Sequence, residues 1–267
     1  MRSVFERNHV QVTGRGSQAM VFAHGFGVDQ RAWHRVAPHF ESEFKVVQYD
    51  LTGAGRSRIA AYQADKYGSL RDHAADLLEI CRTLELSNAL FIGHSAGAMI
   101  GALASIQEPQ LFRKLVLIGG SPRYIDDPPY VGGLPQAQVD ELVGALARDY
   151  HAWCENVAPF ATSEPKGSTL ANELLSNFKR ADPFVAHHFA KVVFYSDHRA
   201  DLVKVSRPTL IMQADNDPFV PNAVADYMCA QIPHAQRVLI KARGGHFPHL
   251  GAPSEVRNAL ETFVRAP

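Results

Sequence analysis

Gly93-His94-Ser95-Ala96-Gly97 is the stretch on which the reading of this chain turns. It follows the apolar run Ala89-Leu90-Phe91-Ile92. It precedes a segment in which Met99, Ile100, Leu103 and Ile106 recur at near-helical spacing until Pro109 ends it. A serine on a sharp turn from strand to helix is held in a strained conformation, and only very small residues two positions to either side let the two backbones come close. Glycine-x-serine-x-glycine alone arises by chance in many chains as an ordinary turn. The strand before it and the helix after it make Ser95 a candidate nucleophile.

A serine hydroxyl attacks poorly at neutral pH, so the reading demands a base and a group that orients the base. On a strand-turn-helix scaffold of this kind the acid and then the histidine follow the serine in chain order. Pro208-Thr209-Leu210-Ile211-Met212-Gln213 reads as a buried strand running into Ala214-Asp215-Asn216-Asp217-Pro218-Phe219-Val220-Pro221, a polar loop punctuated by proline. Of its two aspartates Asp217 is favoured as the acid, because it stands four residues before Pro221, which suits the start of the next helix. Asp215 then braces the loop. Arg237-Val238-Leu239-Ile240 reads as another strand and leads into Gly244-Gly245-His246-Phe247-Pro248-His249, with a final helix from about Ser254. His246 is favoured as the base, since the two glycines before it free the backbone to turn the ring toward the serine. His249 reads as a packing histidine. The His-x-x-His spacing has no third ligand of matching pattern, so no metal is expected, and no cofactor.

Donors for a developing oxyanion are the remaining requirement. Met20-Val21-Phe22-Ala23 reads as a strand entering His24-Gly25-Phe26-Gly27. The backbone N–H after the nucleophile, that of Ala96, and one from this early loop, that of Phe26, are the candidate pair.

Composition frames these motifs. The 267 residues are 46% hydrophobic, and 27 Lys+Arg balance 27 Asp+Glu. That balance argues against nucleic acid or an anionic membrane as the main partner. The first twenty residues carry no apolar signal-like core and no uncharged stretch reaches spanning length, so a soluble, cytoplasmic protein is expected. Cys81, Cys154 and Cys229 are an odd number without CxxC pairing and read as small buried hydrophobes of a reducing compartment.

Strands at His9–Val12, Val21–Ala23 and Lys45–Tyr49 alternate with helices at Gln30–Phe40 and Leu70–Leu84, the latter capped by Ser69 with Asp72 in its first turn. Alternation of this kind predicts an α/β fold with a mostly parallel sheet covered on both faces. One domain is expected, with its core in residues 1–120 and 205–267. Between them no comparable strand appears, and helical patterns such as Gln136–Tyr150 and Asn172–Phe178 predict a helical cap over about 121–204. This stretch is rich in aromatics, among them Tyr124, Trp153, Phe160, Phe178, Phe184, Phe189 and Phe194. A fraction of these is expected to line an apolar pocket above Ser95.

With these residues in view, the chain resembles the branch of the α/β-hydrolases that contains the RsbQ-type bacterial stress-response hydrolases and the plant karrikin and strigolactone receptors. The similarity runs nearly the whole length. It is strongest in His24-Gly25-Phe26-Gly27, in Gly93 to Gly101, in Ser121-Pro122-Arg123-Tyr124, in Phe194-Tyr195-Ser196-Asp197-His198-Arg199 and in Gly245-His246-Phe247-Pro248-His249-Leu250. It implies a four-helix cap, a triad at Ser95, Asp217 and His246, and oxyanion donors at Phe26 and Ala96. It also implies a deep apolar pocket with Phe26, Tyr124, Trp153, Phe178 and Phe194 as lining positions. The chain carries Leu134 and Val157 where the plant receptors tend to carry phenylalanine.

Residues and resemblance together lead to the expectation of a serine hydrolase that cleaves a small apolar ester or lactone through an acyl-enzyme. The alternative is a slow-turnover signalling hydrolase or receptor that binds such a ligand and acts on a stress-response partner protein. Chemistries on this fold that need a carboxylate nucleophile are not expected, because Ser95 occupies that position.

Overall fold

Apolar side chains alternate between two buried faces along the central strands, which fixes the layering of the molecule. The structure, a computed structural model, describes residues 3–241 and 243–266. Its strands are β1 (Gln11–Thr13), β2 (Ala19–Ala23), β3 (Lys45–Tyr49), β4 (Ala89–His94), β5 (Phe112–Ile118), β6 (Thr209–Ala214) and β7 (Ala235–Ile240). They form one sheet in the order β1-β3-β2-β4-β5-β6-β7, parallel throughout except for β1, which pairs antiparallel with β3. Met20, Phe22, Leu90, Ile92, Val116, Ile118, Leu210 and Met212 point to one face, while Val21, Phe91, Leu115, Leu117 and Ile211 point to the other. Period-two alternation with both faces apolar marks a sheet sandwiched between layers, and it explains the near-continuous hydrophobic runs read in the sequence.

The helices are α1 (Val4–Arg7), α2 (Leu70–Thr83), α3 (Ala96–Gln107), α4 (Gln136–Arg148), α5 (Tyr150–Thr162), α6 (Thr169–Phe178), α7 (Pro183–Phe194), α8 (Asn222–Gln231), α9 (Pro248–Gly251) and α10 (Pro253–Arg265). Val256, Leu260 and Phe263 of α10, with Trp33 and Phe40, cover the first face. Leu77 of α2, Leu103 of α3 and Met228 of α8 cover the second. Ser69 caps α2 as predicted: its hydroxyl accepts from Arg71 N–H, and Asp72 closes a reciprocal capping box. The helices α4 to α7 all lie between β5 and β6.

Two predicted helices are corrected. The pattern over Gln30–Phe40 forms two 3-10 turns, Gln30–Trp33 and Ala37–Phe40, because Pro38 lacks an N–H and its ring would clash with the carbonyl of His34 in a continuous α-helix. The pattern over Gln136–Tyr150 stops at Arg148. There Asp149 turns extended (φ −151°, ψ 96°), and its carboxylate caps α5 through Ala152 N–H at 2.9 Å. Of the cysteines, Cys81 and Cys154 are buried but Cys229 is half-buried, and all three are free. No helix among the described residues is long and apolar enough to cross a membrane.

Strand order also fixes where a ligand can bind. From β2 the chain steps out to β3 and then crosses back to β4 on the other side of β2, so a crevice opens beyond the carboxyl ends of β2 and β4. The loop His24–Gly27 leaves β2 there, and Ser95 follows β4. Ser95 has φ +53° and ψ −120°, a conformation few residues adopt. The flanking glycines are required by contact. A Cβ on Gly93 would lie 2.6 Å from the Gly97 carbonyl oxygen, and one on Gly97 would lie 2.5 Å from the carbonyl oxygen of His24. Gly97→Ala is therefore expected to destabilise the protein by about 1–3 kcal/mol through overpacking. Gly68→Ala, whose new methyl meets open space, should be neutral or stabilising by about 0.4–1 kcal/mol. Thermal and denaturant unfolding of the two variants against the parent checks the contrast.

Candidate active site

Three loop ends converge on the crevice. At the end of β4, Ser95 is buried with its N–H bonded to Ile118 O of β5 at 2.8 Å, and α3 begins at the next residue. His246 approaches from the loop after β7, with Nε2 2.8 Å from Ser95 Oγ. Its Nδ1 lies 2.8 Å from Asp217 Oδ2, in the loop after β6. A carboxylate can only accept, so Nδ1 carries the proton and Nε2 is free to receive one from the serine. Asp217 is held in turn: its Oδ1 accepts from Phe219 N–H at 2.9 Å and Val220 N–H at 3.0 Å, and Gln213 Nε2 donates to Oδ2 at 3.2 Å. Asp215 is exposed, with its N–H on Ile240 O, and it makes no bond to His246.

The loop geometry follows from residue type. Gly244 and Gly245 both have positive φ, +117° and +52°, and a Cβ on Gly245 would meet Ala161 O at 2.6 Å. That close approach lets His246 N–H bond to Ala161 O of α5 at 2.8 Å. His94 Nε2 donates to His246 O at 2.7 Å, so both backbone groups of His246 are tethered. The early loop is tied by His24, whose Nδ1–H donates to Gly25 O at 2.8 Å while its Nε2 accepts from Leu51 N–H at 2.9 Å. Among the described residues no backbone bond occupies the N–H of Phe26 or of Ala96.

Phe26, Tyr124, Trp153, Phe178 and Phe194 all line one small cavity with Ser95 and His246. Val157, Val193, Phe219 and Phe247 complete it. Phe219 and Phe247 sit within two residues of Asp217 and directly after His246, an adjacency the sequence could have offered. The cavity is small, about 30 Å³. Tyr124 OH stands 3.4 Å from Ser95 Oγ, and burial raises its phenol well above the usual value. Phe160 and Phe184 are largely exposed, and Phe189 lines a different cavity. Among the described residues no three His, Cys, Asp or Glu side chains gather as metal ligands.

His249 lies away from the serine. Its ring packs 4.5 Å from Trp33 and 4.5 Å from His94, and neither ring nitrogen has a hydrogen-bond partner. Burial, with the nearby charges of His246, His34 and Arg35, pushes it down to about 3. His94 is also driven well below its usual value, by burial first and then by His249 and His246.

The chain was compared with known proteins. A family model described as alpha/beta hydrolase fold matches residues 18–253. A strigolactone esterase of Pisum sativum is 38% identical over 259 residues, covering 97% of this chain and 97% of its own length. A Karrikin insensitive 2 receptor of Petunia hybrida is 35% identical over 256 residues, covering 96% and 95%. Among solved structures, a hydrolase from Oleispira antarctica aligns with a TM-score of 0.95 at 34% identity over 99% of this chain and 97% of that one.

Buried neutral histidines make the protein acid-sensitive in a defined window. The folded pKa of His249 lies below its unfolded value of 6.5. The stability tied to its neutral form is therefore complete above about pH 6.5 and is lost as pH falls toward 3. His249→Phe, which preserves the stack on Trp33, is expected to flatten the fall of melting temperature between pH 7 and pH 4 while changing activity by less than about tenfold. Melting curves of parent and variant across that range check it.

Proposed function

Because the chain belongs to the α/β-hydrolase family, we propose that it is a serine hydrolase that cleaves a small apolar ester or lactone through an acyl-enzyme, with residues 121–204 acting as a cap over the site. The observation that carries this reading is the unbroken contact line Ser95 Oγ, His246 Nε2, His246 Nδ1, Asp217 Oδ2, with 2.8 Å at each hydrogen bond. His246 takes the serine proton as Oγ attacks the acyl carbon, and the N–H groups of Phe26 and Ala96 hold the oxyanion. The tetrahedral adduct then expels the alkoxide, which receives the proton from His246. Water, deprotonated by the same nitrogen, releases the acid and restores Ser95. Asp217 fixes the imidazole tautomer and stabilises the cation formed in each half. The first turn of α3 adds its dipole to the oxyanion side.

Apolar substrates are favoured because no Lys, Arg, Asp or Glu lines the serine cavity among the described residues. Similarity to a Karrikin insensitive 2 receptor supports the second reading, a slow hydrolase that signals through a partner protein. In that case turnover would fall far below the rate near ten per second usual for enzymes.

Ser95→Ala should lower hydrolysis of p-nitrophenyl acetate by on the order of a millionfold while leaving the melting temperature intact. Asp217→Asn should cost about ten-thousandfold and Asp215→Asn less than about tenfold. Retention of more than a few per cent of activity in Ser95→Ala would remove the covalent mechanism, and the reverse ranking of the aspartates would remove the assignment of the acid.

Acyl length tests the pocket. On p-nitrophenyl esters, kcat/KM is expected to peak at short acyl chains and then fall, because a packed aromatic wall expands little. An open groove would instead gain about 0.8 kcal/mol per buried CH₂, and a rise continuing beyond about eight carbons would exclude the closed pocket. The kcat values from the same series separate a hydrolase of ordinary turnover from the slow signalling reading.

A further inference from the structure

A second cavity next to the site does not contain Ser95. It measures about 340 Å³, within the size range of sites for small organic ligands, and it lies on the other side of Phe26, the residue whose ring also walls the serine cavity. Its interior is apolar, with Leu51, Val185 and Phe189 beside Phe26. Arg31, Arg56 and Arg180 stand on its lining with a single carboxylate, Asp29.

These charges are unequally satisfied. Arg31 grips Asp29 through Nε at 2.9 Å and Nη2 at 2.5 Å. Burial alone would raise the Asp29 carboxyl, but the hydrogen bonds from Arg31 prevail and its pKa is lowered. Arg180 is left 3.9 Å from that same carboxylate and otherwise bonds the neutral amide of Asn177. Its pKa is lowered, by desolvation first and then by repulsion from Arg31. Asp50, beneath the rim, is buried and spends its oxygens on the N–H groups of Gln30 at 2.9 Å and Arg56 at 2.7 Å. The Arg56 guanidinium has no ion pair among the described residues. On the lining of this recess Arg56 thus has no ion pair among the described residues, and Arg180 has only a distant share of the carboxylate that Arg31 already holds. Guanidinium is the side-chain group best matched to a planar carboxylate, which it binds through paired hydrogen bonds.

We propose that this cavity binds a small amphipathic organic acid, its carboxylate at Arg56 and Arg180 and its short apolar or aromatic body against Leu51, Val185 and Phe26. The site is separate from Ser95. Because Phe26 is shared, an occupant packs against a residue that also lines the serine cavity.

Calorimetric titration of the whole protein with 3-phenylpropionate, and with the neutral 3-phenylpropanamide, tests this without recourse to hydrolysis. Saturable binding of the acid is expected, weakened about tenfold or more in Arg180→Gln and in Arg56→Gln, unchanged in the remote surface variant Arg148→Gln, and reduced by added salt. The amide should bind about tenfold or more weakly. A crystal soaked with the acid should show its carboxylate against Arg180 or Arg56. Absence of binding, equal affinity for acid and amide, indifference to both rim substitutions, or density confined to the serine cavity would each overturn the proposal. All of these readouts remain valid if Ser95 proves not to be a nucleophile.

Discussion

Two backbones meet at the end of β4, and the site depends on that contact. Helix α3 starts one residue after the strand ends, so Ser95 must absorb the whole change of direction at φ +53°. Strain of this kind costs on the order of 1–3 kcal/mol. It persists because Ile100 and Leu103 of α3 are fully buried against the sheet, and burial of one such side chain contributes about 1.5–3 kcal/mol. The ladder bond from Ser95 N–H to Ile118 O keeps the strand regular up to the turn. Only glycine at 97 lets α3 rest against the carbonyls of Ala23 and His24, which brings the loop carrying Phe26 beside the serine. Elbow and early loop are therefore one packing unit, and neither can be placed without the other.

The histidine is governed from a different direction. His246 N–H is tied to Ala161 at the end of α5, and Ser163 Oγ, just beyond that helix, bonds Asn216 O in the loop of Asp217. The same helix contributes Trp153 and Val157 to the wall of the serine cavity. That cavity is small and closely walled by aromatic side chains. Wall and anchor share one rigid element. Any shift of α5 would therefore reach both the wall of the cavity and the backbone tether of His246.

The sheet and the crevice were legible in the sequence because their signals are local. Ala89–Ile92 and Thr209–Gln213 are runs that only a doubly covered strand tolerates, and the glycines at 93 and 97 announce a contact later visible in atoms. Choosing Asp217 rested on its distance from Pro221; in the structure its carboxylate faces His246 and accepts from two backbone donors of that loop. Less legible were breaks decided by one residue within a strong pattern. Pro38 divides a hydrophobic period that looks helical throughout, and Asp149 ends one helix by capping the next. The second cavity left no sequence signal, since Arg31, Arg56 and Arg180 come from three separate segments and only tertiary folding places them on one rim.

Phe26 divides two electrostatic environments. On the serine side the neighbours are aromatic, and two nearby buried histidines, His94 beside His246 and His249 beside Phe247, are kept neutral by burial. The charged group in contact with His246 is Asp217. On the other side of the same ring, guanidinium groups reach solvent at the mouth of a larger recess. Were those charges to border the serine, they would oppose formation of the imidazolium. With Phe26 shared between the two cavities, the serine cavity keeps a wall without Lys, Arg, Asp or Glu among the described residues while the neighbouring recess carries a cationic rim.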